Sequence, residues 1–279
     1  IKDIKEFYKN RKVFLLTSQQ YSIFMSECPY IDGVIIDKRL PRWNLFFLYN
    51  LKKLLTKYNF SKVFDLQNSS RTKFYRNFIL KNAEWSSSAT TLKPGEKKKD
   101  FDTHPVLDRM ELQLKESQIP TKYIKNVDLS WAKEDISRLT KQYTNRDYIL
   151  IFPFSSKKHK DKRWPFFKDL ISRIRRDYKN NYSVLVAPGP NEFDEANRLN
   201  VKIVMNNGHA VDIKTLISLI NGAKFIIAND TGPAHIASHL NKKGLVLFGS
   251  HTSAKKVSIE NSNFKALSVE KLADLSVDT

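Results

Sequence analysis

The chain has 279 residues, 41% of them hydrophobic, and 48 Lys+Arg against 29 Asp+Glu leave a formal net charge of +19. That length suits two domains with a core each, and the composition excludes wholesale disorder. Cys28 stands alone, which excludes an internal disulfide and a cysteine-based zinc cluster, and no apolar run approaches the roughly 18 residues of a membrane span.

In chain order, apolar runs at 13–16, 34–36 and 63–66 read as strands, with a helical pattern at 44–58 between the second and third. The stretch "SSSATTLKPGEKKKD" at 86–100 reads as an inserted loop too polar to pack. Polar residues around 119–127 mark a boundary, giving domains 1–124 and 125–279. Beyond it, runs at 148–152, 184–187, 202–205, 225–228 and 245–248 alternate with helical patterns at 165–178, 191–199, 212–221 and 234–240. This rhythm predicts an α/β architecture with mostly parallel sheets.

The basic excess is spread along the chain but steepest from Lys38 to Ala83, where eleven bases face one acid, Asp65. Such a field favours a polyanionic partner: nucleic acid, an anionic membrane surface or a phosphorylated substrate. Plain solubility charge is the alternative. No RNA- or DNA-binding signature accompanies the charge, so nucleic acid is not expected as the partner.

Glycine is scarce, yet Gly189, Gly232 and Gly249 each follow a strand-like run. They therefore mark strand ends, the edge at which parallel α/β sheets bind ligands. Neither GxGxxG nor GxxxxGK[ST] occurs. In "FIIANDTGPAHIAS", Asp230, Thr231 and Gly232 form a strand-to-helix turn, with Thr231 or Gly232 as N-cap and Pro233 at the first helical position. The helix start offers N–H groups and a positive dipole end to an anion. A second strand end, "PFSSKKHKDKRWP", supplies the hydroxyls of Ser155 and Ser156 and a cluster of cations suited to phosphate oxygens. A third, "APGPNE", brings Glu192, a possible acceptor for ribose hydroxyls or simply favourable charge at a helix start. Together these groups suit a nucleoside diphosphate sugar.

"NDTGPAHIA" followed by "LVLFG", and preceded by "FPFSS…KRWP" and "VAPGPNE", resembles glycosyltransferase family 9, the ADP-heptose:lipopolysaccharide heptosyltransferases. "FDLQNSSRTKFY" is similar to that family's acceptor-side motif through Asp65, Gln67 and Arg71. The resemblance implies a GT-B fold, two Rossmann-like domains facing across a cleft, with the acceptor on residues 1–124 and the nucleotide sugar on 125–279. It implies inverting transfer of heptose from ADP-heptose to the lipopolysaccharide inner core, without metal or other cofactor. By position, Ser155, Ser156, Lys162, Glu192, Asp230, Thr231, Gly232 and His235 would bind the donor, Gln67 and Arg71 the acceptor, and Lys162 and Asp230 would serve catalysis. The loop before Trp164 is longer than the family's, which leaves Lys158 and Lys160 as alternatives to Lys162. After Gly249 stands "SHTSAKK" where members often have Pro-Thr, so the sugar preference stays open. "IKDIKEFYKN" matches the later part of the family's first helix, which places the first strand and the expected Asp base upstream of Ile1.

The partners to expect are a nucleotide sugar, an acidic glycolipid acceptor and an anionic membrane surface. A cytoplasmic monomer, peripheral on the inner face of the cytoplasmic membrane, fits them. The rival readings are a GT-B protein that binds a nucleotide sugar without turnover, and a basic nucleic-acid-binding protein.

Overall fold

The computed structural model describes residues 1–156, 160–179 and 181–279. The chain forms two compact units, Ile1–Asn126 and Val127–Thr279.

In the first unit the order is α1 (Lys2–Phe7), β1 (Phe14–Thr17), α2 (Gln19–Ser26), β2 (Gly33–Ile36), α3 (Leu45–Thr56), β3 (Lys62–Phe64), α4 (Ser70–Phe78), β4 (Glu84–Ser86), α5 (Ser88–Thr91), α6 (Lys98–Phe101) and α7 (Val106–Glu116). β1 pairs in parallel with β2, and β3 with β4. Gly33 lies so close to its neighbour that a Cβ would meet the Phe14 ring at 2.6 Å, so any larger residue would have to displace that ring. α3 and α4 close one core around Ile35, Leu51, Leu55 and Tyr75, and Ile4, Leu114 and Ile119 form a smaller one. A cavity of about 600 Å³ lies between the two strand pairs, lined by residues that include Leu16, Ile35, Val63 and Tyr75. α1 is tied down by Asp3, whose buried carboxylate accepts from the amides of Lys122 and Tyr123.

The segment 86–100 corrects the expectation of an unpacked loop. Ser86 ends β4, α5 and α6 follow, and Ser86, Ser87, Ser88, Thr91 and Phe101 are buried. The polar groups that argued against packing find internal partners. Ser87 and Thr90 form a capping box, Thr91 Oγ1 donates to Ser87 O at 2.8 Å, and Ser88 N donates to Asn68 Oδ1 at 2.6 Å.

The second unit contains α8 (Ser137–Lys141), β5 (Tyr148–Phe152), α9 (Phe167–Asp177), β6 (Ser183–Val186), α10 (Phe193–Asn197), β7 (Lys202–Ile203), α11 (Ile213–Gly222), β8 (Phe225–Asn229), α12 (Gly232–His239), β9 (Gly244–Phe248), α13 (Ala254–Val257) and β10 (Phe264–Ser268). Its six strands form one parallel sheet in the order β10-β9-β8-β5-β6-β7. Every residue of β5 is buried, as expected of a strand covered on both faces. Alternation assigns the faces: Leu150 and Phe152 join the core with Ile226, Val246 and Phe248, and Ile149 and Ile151 join the core with Phe167, Ile171 and Ile174.

The strand order is that of a doubly wound sheet, with its reversal between β5 and β8. At that reversal the connections leave in opposite directions and open a crevice beyond the carboxyl ends of the two strands. Two strands escaped the sequence reading: β4, only three residues long, and β10, "FKALS", whose apolar content is too short a pattern to stand out. Pro233 also sits one place later than expected, because Gly232 takes the first helical position.

Candidate functional site

The crevice at the reversal is built by the segments that follow β5 and β8. Asn229, the last residue of β8, is fully buried and joins them. Its Nδ2 donates to Pro153 O at 2.7 Å, and its Oδ1 accepts from Trp164 N at 3.1 Å. One side-chain amide thus fixes both ends of the loop 153–164 against the tip of the neighbouring strand. Trp164 is further anchored by its indole N–H, which donates to Leu275 O at 2.9 Å.

Asp230, one residue on, has a side chain only 5% exposed and is the centre of a charged cluster. Lys162 Nζ donates to its Oδ2 at 2.6 Å, and His251 Nε2 lies 3.1 Å from the same oxygen. His235 Nε2 stands 3.6 Å from Oδ1. Burial pushes the Asp230 carboxyl upward, but the contacts with His235 and Lys162, the Lys162 charge and the His251 contact together outweigh it. The carboxyl is held well below the usual carboxylate range. A carboxylate so stabilised accepts a proton poorly, and its contacts gather Lys162, His251 and His235 around it.

Thr231 caps α12 but its side chain makes no bond to the first-turn amides, since its hydroxyl donates back to Asn229 O at 3.2 Å. Pro233 has no N–H and the Ala234 amide donates to Thr231 O at 3.1 Å, so the Gly232 amide is the donor that the first turn keeps for an external acceptor. Gly232 is exposed, and a Cβ built on it would meet nothing within 4 Å. Packing does not require glycine there. Its lack of a side chain leaves the backbone open to close approach.

Arg163 braces the other side of the crevice. Its Nε donates to Ser155 Oγ at 3.2 Å, Nη2 donates to Ser155 O, and Nη1 pairs with Glu195 at 2.5 Å. Ser155 is buried and held by this guanidinium, whereas Ser156 is exposed. At the end of β6, Glu192 Oε2 accepts from Gly189 N at 2.8 Å, closing its own turn.

Lys162, Asp230 and His235 thus come together, with Thr231 and Gly232 following directly in the chain. Ser155 joins through Arg163, and Glu192 occupies the same carboxyl edge at the next strand beyond β5. Lys158 and the side chain of Lys160 lie outside the described residues. Gln67 and Arg71 belong to the first unit. Gln67 is exposed, and its Oε1 is 3.5 Å from Arg39 Nη2. Arg71 donates to the carbonyls of Leu40 and Arg39 and to the Tyr75 hydroxyl at 3.0–3.2 Å, so much of its donor capacity is engaged within the fold. Asp65 accepts from the amides of Gln67 and Asn68 and closes the turn after β3.

Three residues of the site were missed: Asn229, Arg163 and His251. His251 is the most informative, standing two places after the strand-end Gly249, stacked on Phe248 at 5.9 Å between ring centroids. Its position just beyond a strand end in the "SHTSAKK" stretch was the available signal.

The family model of glycosyltransferase family 9 (heptosyltransferase) matches residues 48–273. The chain belongs to this family. It is a glycosyltransferase, and its fold is the α/β GT-B fold. Escherichia coli heptosyltransferase WaaC with ADP superposes with a TM-score of 0.71 at 15% identity, over 99% of this chain and 90% of that one. E. coli ADP-heptose lps heptosyltransferase II gives 0.70 at 15% identity, over 99% and 89%. A family 9 glycosyl transferase from Veillonella parvula gives 0.68 at 13% identity, over 96% and 80%. No curated protein sequence matches the chain.

Proposed function

We propose that this glycosyltransferase takes heptose from ADP-heptose and places it, with inversion, on a sugar hydroxyl of the lipopolysaccharide inner core. The observation that carries the reading is the Lys162–Asp230 pair beside the open start of α12 at the sheet reversal. Support comes from family membership and from the likeness to WaaC, whose structure was determined with ADP.

In the transfer, the acceptor oxygen forms a bond to the anomeric carbon as the bond from that carbon to the β-phosphate oxygen breaks. The hydroxyl proton goes to a base, and ADP departs with the bonding pair. Lys162 and the Gly232 amide at the start of α12 would meet the charge growing on the leaving phosphate. Glu192, through the carboxylate oxygen not bonded to Gly189, would accept from a ribose hydroxyl. With these protein groups carrying the phosphate charge, no metal is invoked. Gln67 and Arg71 would serve the acceptor, and the enzyme would work as a peripheral protein at the cytoplasmic face of the inner membrane.

Calorimetry of this chain with ADP, UDP and GDP, and a transfer assay of the full-length protein with ADP-heptose and heptose-deficient lipopolysaccharide, test the proposal. Preferential binding of ADP and labelled heptose on the acceptor are expected. A preference for UDP or GDP would overturn the donor, and donor binding without transfer would favour a non-catalytic binder.

A further inference from the structure

Helix α3 carries apolar side chains on two faces, and the fold uses one. Phe47, Leu51 and Leu55 point into the core and are 8%, 3% and 2% exposed. Leu45, Phe46 and Tyr49 recur at the three- and four-residue spacing of a different face and are 75%, 78% and 63% exposed. Trp43, in the turn just before the helix, is 80% exposed. Surface helices ordinarily turn polar residues outward, so neighbouring bare apolar side chains mark an interaction surface.

The surrounding charge selects the partner. Residues 38–57 contain Lys38, Arg39, Arg42, Lys52, Lys53 and Lys57 and no acid, and all six bases are exposed. Trp and Tyr favour the boundary between water and acyl chains, where the ring is buried and its polar edge stays wet. Lys and Arg at the margins suit anionic headgroups. Among the described residues no helix is long and apolar enough to cross a membrane, so this surface would lie on a bilayer rather than within it.

The presenting turn is fixed in advance. Asn44 caps α3 by accepting from Phe47 N at 2.9 Å, and Asp37 accepts from Arg39 N at 2.7 Å and from the Tyr75 hydroxyl at 2.8 Å. Arg71 holds the carbonyls of Arg39 and Leu40. Arg71 therefore shapes the base of the patch, a role the sequence did not reveal.

We infer that Trp43, Leu45, Phe46 and Tyr49, flanked along the chain by these six exposed cations, form the face by which the protein docks on an anionic phospholipid bilayer. The inference deepens the peripheral-membrane part of the proposed function and rests on none of its donor chemistry.

The test is co-sedimentation of the full chain with phosphatidylglycerol–phosphatidylcholine vesicles and with pure phosphatidylcholine vesicles, at low and high salt. The whole protein is basic, so charge alone would give binding that disappears at high salt. The apolar patch predicts residual binding to the anionic vesicles at high salt, and loss of at least ~10-fold in affinity for the Trp43→Ser/Phe46→Ser/Tyr49→Ser variant, in line with the removal of three ring insertions. These side chains are exposed, so the variant should keep its thermal transition and its ADP affinity. A blue shift of tryptophan emission on anionic vesicles should be lost in Trp43→Phe. Unchanged vesicle binding by the triple variant would overturn the inference, as would failure of the parent to bind anionic vesicles. So would a parent dimer in sedimentation that the triple variant converts to monomer, since the face would then belong to a second copy.

Discussion

Lys162 Nζ and Asp230 Oδ2 stand 2.6 Å apart, although their residues are separated by 68 positions and come from different strand ends. The lysine is 24% exposed and the aspartate 5%, so the cation faces the crevice while the anion is backed by protein. An incoming diphosphate would meet a lysine already oriented for it. Lys162→Ala should weaken ADP binding by at least ~10-fold, the effect of losing one charge-assisted contact. Asp230→Ala should weaken it by a similar factor, because the lysine and both histidines lose their common anchor. Titration calorimetry measures both, and parental affinity in both variants would place the donor elsewhere.

Gly232 separates binding from folding. Its φ is not among the positive values of the chain and its Cβ position is open, so Gly232→Ala should leave thermal stability unchanged or slightly raised. If a phosphate oxygen approaches the start of α12, the added methyl group intrudes on it, and ADP affinity should fall by about 10-fold, the size expected from losing one such contact. Parallel melting and binding curves decide this. A variant that binds as the parent does would remove α12 from the donor site.

The inner strands of the second unit were legible in the sequence because they are largely buried on both faces, which writes them as continuous apolar runs such as "YILIF". The turn "DTGP" was legible because glycine and proline at a helix start have few other uses. What escaped depended on register between distant strands. Nothing local in "IIAN" says that Asn229 will grip Pro153 and Trp164, 76 and 65 positions away. His251 needed the stacking on Phe248 to turn it toward Asp230. The hydroxyls of 86–91 looked like solvent-exposed loop because partners such as Arg76, for Ser87, and Ser117, for Ser86, arrive from other elements.

The Asn229 contacts predict a stability defect. Asn229→Ala leaves a buried carbonyl and a buried amide without partners, at about 1–3 kcal/mol for each group. A loss of roughly 2–4 kcal/mol in the unfolding of the second unit is expected after partial relaxation. Urea titration followed by far-ultraviolet circular dichroism measures it. A loss below about 1 kcal/mol, within the range of an ordinary substitution, would mean that water replaces the side chain.

Tyr148 predicts the alkaline limit of the same unit. It is 6% exposed, its hydroxyl donates to Leu219 O at 2.7 Å, and burial pushes its pKa up from 10 to about 12. Between those values the unfolded chain releases the phenolic proton while the folded chain retains it. The Tyr148 contribution is therefore fully present below pH ~10 and is lost as pH rises through about 12, at close to 1.4 kcal/mol per unit. Tyr148→Phe removes this dependence along with one hydrogen bond, so at pH 9 the variant should be less stable by about 0.5–1.5 kcal/mol. The deficit should shrink by pH 11 and vanish or reverse near pH 12. Other tyrosines and lysines titrate in both proteins and cancel in the difference, which makes the pH trend of that difference the quantity to read. Unfolding free energies measured in urea at half-unit steps from pH 9 to 12 supply it. A difference that stays constant across the range would mean that the Tyr148 phenol ionises in the folded protein as readily as in the unfolded chain.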